Sequence, residues 1–493
     1  MDAIGYGRHH RRPFCQPRDS AQRTYPMNFN SWQFVVFFLV VFALSAPLKR
    51  HSTAHKWWLL AASYVFYGSW NWHYLGLIVF STVFDYWIGR RFRDSQRPRR
   101  LIALSVIANL GVLAFFKYAN FAIASANWSL AAFGSSVQFH AIDVLLPVGI
   151  SFYTFQSMSY TIDVYRGDLK ARDSLLDYAL FVAFFPQLVA GPIVRAVEFF
   201  RELDQPRHFT QKQIAYALIL IAFGYVKKMV FADSLAAAAD PVWNQLATAD
   251  PWAVLLAVYA FAFQIYFDFS GYTDIAIGVA MLFGFQFPKN FNYPYLATSF
   301  QEFWRRWHMT LSRWLRDYLY IALGGNRRGP GLTYVNLMLT MLLGGLWHGA
   351  SWNFVIWGAL HGSYLVGERL LLNRIPGWQS DWLPMRLLRW FVTFNLICFA
   401  WIFFRADDFA SSLLVLSKLG TLATATYDAQ AWSALSIALL AFASAHWLGG
   451  RFDIKQKLGA AAMPVHVAAT TVALLMLIWF TPDYSAPFIY FQF

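Results

Sequence analysis

The chain has 493 residues, of which 58% are apolar, 19% aromatic and only 13% charged. Charge this sparse, about half the share found in soluble globular proteins, cannot cover a soluble surface. Disordered chains are charge-rich and aromatic-poor, so a soluble enzyme and a disordered protein are both excluded. The net charge of +14 sits in short basic segments between long apolar stretches, the pattern of cytoplasmic loops and not of a nucleic-acid-binding face. Composition therefore predicts an all-α, polytopic integral membrane protein whose 22 Trp, 25 Tyr and 48 Phe supply interfacial rings.

In chain order, residues 1–26 carry Arg8, Arg11, Arg12, Arg18 and Arg23 without an apolar run. They read as a basic, disordered extension ahead of one transmembrane domain, 27–493. Apolar stretches approaching the ~20 residues that cross a bilayer recur at 33–48, 57–70, 73–89, 101–116, 143–161, 177–194, 213–230, 252–268, 271–287, 332–348, 352–372, 387–404, 432–448 and 465–481. Some are short or broken by Gly and Pro, so about 11–14 transmembrane or re-entrant helices are expected. The breaks are expected at Pro186, Gly191 and Pro192, and at Gly344 and Gly345. Lys49, Arg50 and Lys56, and Arg90 through Arg100, place two early loops in the cytoplasm; the tip 69–72 and the uncharged segment 118–140 then face outside. Two cysteines exclude a disulfide framework, and Cys398, inside an apolar run, reads as a small packed hydrophobe.

The segment 288–330 stands apart, with a net charge of +5 that belongs on the cytoplasmic side. Within it Glu302 to Tyr320 reads as one amphipathic helix. At about 100° per residue, Trp304, Trp307, Leu311, Trp314, Leu315, Tyr318 and Leu319 share an apolar arc, and Arg305, Arg306, Arg313, Arg316 and Asp317 lie opposite. An interfacial helix explains most of this pattern. His308 does not fit it, because it lies in the apolar arc, and an ionisable group turned into a membrane protein suggests function.

Forty residues on comes Gly344-Gly345-Leu346-Trp347-His348-Gly349-Ala350, at the end of an apolar run. A shielded imidazole there suits a general base for a hydroxyl; a histidine capping a broken helix is the plainer reading. There is no Gly-x-Ser-x-Gly elbow, Walker loop or His-Glu-x-x-His. His308, His348 and His361 match no zinc spacing, so no metal is expected. Asp268 and Asp274, around Ser270, read as carboxylates at a helix break that hold the arginines of 305–316, and as part of a site wall.

Four tracts carry a resemblance: Phe185 to Ile193, Tyr266 to Asp274, Phe303 to Ser312 and Gly344 to Trp352. With Arg-Trp-His followed some forty residues later by Trp-His-Gly, the sequence from Met27 onward resembles the membrane-bound O-acyltransferase family, in particular its bacterial branch serving alginate O-acetylation. Ala322, where many relatives have proline, and the N-terminal extension are departures. The resemblance implies helices ringed around a central channel, His348 as the essential histidine and His308 as its partner. It also implies a donor from the cytoplasm, with acetyl-CoA expected, and an acceptor outside an inner membrane. The reading places Arg305, Arg306, Arg313, Arg316, Arg327 and Arg328 at the donor's phosphates and Trp304, Trp307 and Trp347 along its path. Periplasmic acetyltransferase or polymer-modification proteins are the expected partners, beside membrane lipid. The acceptor stays open between alginate and peptidoglycan, cellulose or another glycan. A transporter or flippase of a polymer precursor would also use buried His and Arg, but calls for an internal repeat, which the sequence lacks.

Overall fold

The structure is a computed structural model and describes residues 27–49, 51–205, 210–452 and 454–489. The basic segment 1–26 and Arg50 of the first loop lie outside the described residues. Among those described the chain is helical, without a strand. α1 (Trp32–Leu48) starts on Ser31, whose hydroxyl accepts the Phe34 amide at 3.2 Å. α2 (Ser52–Asn71), α3 (Leu75–Arg91), α4 (Pro98–Ala132) and α5 (Ile150–Arg166) follow. α6 (Leu175–Ala183), α7 (Phe185–Leu188) and α8 (Ala196–Asp204) are short. α9 (Gln211–Tyr225) passes through a π-helical turn, Val226–Ala232, into α10 (Asp233–Asn244). α11 (Pro251–Leu282) is capped by Asp250, which accepts the Trp252 and Ala253 amides at 2.8 and 3.2 Å. α12 (Phe300–Arg306) and α13 (Met309–Trp314) carry the polar segment, and α13 runs into a second π-helical turn, Leu315–Tyr320. α14 (Pro330–His348), α15 (Trp352–Arg374), α16 (Leu383–Arg405), α17 (Phe409–Gly420), α18 (Ala429–Phe452), α19 (Ile454–Ala460) and α20 (Met463–Phe480) complete it.

Among the described residues six stretches are long and apolar enough to cross a membrane: α4, α9 with α10, α11, α16, α18 and α20. Their roles differ. α11 is buried along most of its length and forms the axis of the core, while α18 and α20 show their apolar sides outward. Ile107, Ile437, Leu440, Ile478 and Trp479 are each 66–73% exposed; surface this apolar is stable against lipid and not against water.

Several expected boundaries move. The stretches 252–268 and 271–287 join in one continuous helix that runs to Leu282, and Gly271 sits where α11 packs on α9. A Cβ on Gly271 would lie 2.7 Å from the Gly224 carbonyl oxygen, so the glycine serves helix approach. The stretch 101–116 continues as helix to Ala132. The expected break around Pro186 is present: α6 stops at Ala183 and the chain turns through Phe184. The expected break at Gly344-Gly345 is not. α14 runs through both residues to His348, and a Cβ on Gly345 would strike the Phe354 carbonyl and approach Gly358 Cα at 3.1 Å. That glycine lets α15 pack backbone to backbone on α14.

Candidate functional site

Glu302 to Tyr320 is not one helix. α12 ends at Arg306, Trp307 is extended, and His308 takes φ +40° and ψ +54° before α13 begins. A left-handed conformation at a non-glycine residue costs on the order of 1–3 kcal/mol and survives only where its surroundings fix it. The surroundings are the loop before α12. Met309 N donates to Asn290 O and Asn292 N to Arg306 O, both at 2.9 Å, so residues 290–292 grip the turn from both sides.

The Asn290 side chain completes the grip. Its Oδ1 accepts the Thr310 amide at 3.1 Å and the Thr310 hydroxyl at 2.9 Å, and lies 3.2 Å from His308 Nδ1. A backbone amide only donates, so that atom is the amide oxygen. His308 Nδ1 must then carry the proton it donates, leaving Nε2 as the basic nitrogen. The ring is fully buried, edge-on to Phe269 at 4.7 Å.

His348 is the last residue of α14 and is buried. Its ring lies 5.0 Å from both Trp347 and Trp357 and 5.3 Å from Phe404. The Trp347 ring also lies 6.1 Å from His308, so it touches both histidines. Its indole Nε1 donates to Ser151 O at 3.3 Å, and its ring packs on Phe152 and Phe155. Trp357, also against His348, leads to His361 at 4.5 Å, and Trp304 lies 5.1 Å from His361. The polar segment and the Trp-His-Gly turn, forty residues apart in sequence, thus meet in one aromatic cluster. Trp307 is buried against Phe291, Phe303 and Trp401.

The other expected residues divide. Arg306 pairs with Glu302 at 2.8 Å, Arg313 with Glu198 at 2.8 Å and Arg316 with Asp317 at 2.6 Å. Asp317 also takes Arg195 at 2.6 Å. Burial raises the Asp317 carboxyl, but Arg316 and Arg195 outweigh it and hold the group below its ordinary range. Arg305, Arg327 and Arg328 are exposed and form no ion pair among the described residues. Asp268 and Asp274 sit at no helix break and hold none of these arginines. Asp268 meets Lys228 at 2.9 Å and accepts the Ile489 amide at 2.7 Å, while Asp274 pairs with Lys227 and with Lys455. Ser270 is buried beside Tyr266. The residue of this tract that packs on His308 is Phe269. A cavity of about 390 Å³ opens between α11, α16 and α18, lined by Tyr259, Phe263, Trp390, Phe394 and Leu440 among others; neither His308 nor His348 lines it.

Residues 169–406 match the MBOAT, membrane-bound O-acyltransferase family. The probable alginate O-acetylase AlgI of Azotobacter vinelandii is 48% identical over 384 residues, covering 76% of this chain and 73% of that protein. The chain belongs to the membrane-bound O-acyltransferase family. It is a membrane O-acyltransferase. A peptidoglycan O-acetyltransferase of Helicobacter pylori is 38% identical over 436 residues, 81% of each chain. A teichoic acid D-alanyltransferase of Bacillus subtilis is 29% identical over 287 residues, 53% of this chain and 69% of its own. Family membership removes the transporter reading.

The part matched to the O-acyltransferase family holds His308, His348 and Asn290. Asn290 escaped sequence reading because an asparagine in a loop carries no periodic signal. Lys117, outside that part, was passed over as the edge of an apolar run, yet its ammonium reaches the backbone of His348.

Proposed function

We propose that this O-acyltransferase takes acetyl groups from cytoplasmic acetyl-CoA and passes them across the bacterial inner membrane to the hydroxyls of a secreted polysaccharide, with alginate as the polymer. The observation that carries the reading is the pair of buried imidazoles that both lie against the Trp347 ring, one of them held in a defined tautomer by Asn290. His348 would take the proton of a hydroxyl on the polymer or on a serine of a periplasmic partner protein. The oxygen then attacks the thioester carbonyl, the carbon–sulfur bond breaks, and the proton passes to the departing CoA sulfur, leaving an ester and a free thiol. With its Nδ1–H donating a hydrogen bond to Asn290 Oδ1, His308 serves as an acceptor at Nε2 and so orients a neighbouring donor group. General-base assistance of this kind is typically worth about 10²–10⁴ in rate. Acetyl-CoA is polyanionic and cannot cross lipid, so the exposed Arg305, Arg327 and Arg328 would gather its phosphates at the cytoplasmic face. The arm would enter beside Trp304 and Trp307.

The experiment is chemical analysis of acetyl esters on secreted polymers from cells carrying His348→Ala. Ester content should fall to background with the protein still present in the membrane; an unchanged content overturns the reading. The same extracts separate the acceptors. The Helicobacter pylori relative aligns over a larger share of both chains than the alginate relative, which favours peptidoglycan as the second acceptor to assay.

A further inference from the structure

α14 ends abruptly. Its last turn leaves the carbonyls of Leu346, Trp347 and His348 facing a chain that becomes extended at Gly349, with φ −159° and ψ +154°. Helix-terminal carbonyls inside a membrane protein need donors, since no water supplies them there. All three are met by two consecutive residues of α4. Lys117 Nζ donates to Trp347 O at 2.6 Å and to His348 O at 3.0 Å, with Ser151 Oγ at 3.5 Å. Tyr118 Oη donates to Leu346 O at 2.6 Å. Lys117 is the one charged residue between Leu101 and Ala132, and a charge at that position in a spanning helix is expensive unless it has a partner. Its partner is the negative end of α14's dipole.

The consequence is geometric. α14 and α15 are joined by a short turn and would move together, whereas α4 is far away in sequence and packs chiefly on α3 and α5. The ammonium therefore ties the backbone of the candidate base, and of Trp347, whose ring touches both histidines, to a separate helix. We infer that Lys117, supported by Tyr118, is a positioning residue for acyl transfer: it fixes where the His348 imidazole stands relative to His308. This rests on the reading of His348 as the base.

The test uses inverted membrane vesicles from cells that acetylate their polymer through this protein, supplied with labelled acetyl-CoA, with base-labile label in polymer as the readout. Lys117→Met should lower the maximal rate per folded protein by about 10²-fold, the loss expected when a reacting group shifts by about 1 Å. Half-saturation by acetyl-CoA should stay within about twofold, since donor contacts are untouched and only orientation is lost. Lys117→Arg, which keeps a donor for the carbonyls, should recover most of the rate. A purely structural cap predicts something else: less folded protein and a lower melting temperature, but an unchanged rate per folded molecule, and that result overturns the inference. Should Lys117→Met fail to fold, Tyr118→Phe decides. It removes the Leu346 bond alone and should lower the maximal rate severalfold; a wild-type rate overturns the inference. His348→Ala run in parallel keeps the two readings apart. If it retains activity, the base assignment fails whatever Lys117 does; if it is dead and Lys117→Met is fully active, only the positioning role fails.

Discussion

Two regions of this molecule bury polar chemistry, and they do so in opposite ways. Beneath the C-terminal segment, Lys228 sits between Asp233 at 2.7 Å and Asp268 at 2.9 Å and also donates to Ala486 O at 2.9 Å; Lys227 and Lys455 close on Asp274 nearby. Every charge there has an opposite charge in contact. Around Trp347, by contrast, His308, His348 and His361 are set among aromatic rings, with an amide oxygen at one nitrogen and a helix terminus at one backbone. The first arrangement spends its polar groups on holding α9, α10, α11 and the C-terminal segment together. The second sets its imidazoles among aromatic rings, and on the proposed reading one of them takes the proton of the acceptor hydroxyl. Both are buried polar groups in an apolar protein, and only the second has the makings of a reaction centre.

Mutations should separate the two regions by what they damage. The largest effect on rate is expected from His348→Ala, a loss of about 10²–10⁴ in acyl transfer with undiminished folded protein. Lys228→Met should do the reverse. It strands two buried carboxylates, a change worth about 3–5 kcal/mol, and should be seen as lost yield and lowered melting temperature of detergent-extracted protein. If the lysine variant folds normally and is merely slow, the division between the regions is wrong.

Next in size, Gly345→Ala forces a methyl into the Phe354 carbonyl where α14 meets α15. Overpacking of this kind costs about 1–3 kcal/mol, measurable as a lower melting temperature. Asn290→Ala removes the acceptor shared by His308 and Thr310 and frees the ring to adopt either tautomer; the expected loss is about tenfold in maximal rate, less than for His348→Ala, because the proton acceptor itself remains. An unaffected rate would reduce His308 to packing. The smallest effect belongs to the rim. Asp317→Asn weakens a half-buried pair with Arg195 and Arg316 and should cost about 1 kcal/mol at neutral pH. Because this carboxyl titrates lower in the folded protein than in the unfolded chain, its contribution is present above the ordinary carboxylate pKa of about 4 and disappears as pH falls through the folded value. Melting temperatures of wild type and variant should therefore differ at neutral pH and converge in acid.

Much of this was readable from the residues, and the failures have specific causes. The Trp-His-Gly turn could be found because a histidine ending a long apolar run is chemically conspicuous. The expectation of one helix through 302–320 failed because hydrophobic periodicity survives a single left-handed residue: Trp304 and Leu311 keep their phase on either side of His308, so the pattern cannot register the kink. Asp268 and Asp274 were misplaced for a different reason. Their partners are lysines at 227, 228 and 455, and no local signal reports a pairing across that span of chain.

What the sequence determined by itself is the medium and the chemistry at hand. So few charges among so many aromatic and aliphatic residues require lipid around the helices, and histidines inside apolar runs must be either satisfied or used. Tertiary structure decided which. Only the packing of the 290–292 loop on the turn could give His308 its tautomer, and only the crossing of α4 behind α14 could bring Lys117 to the end of that helix. Hydrogen bonds act over about 3 Å, and sequence order says nothing about which groups come that close.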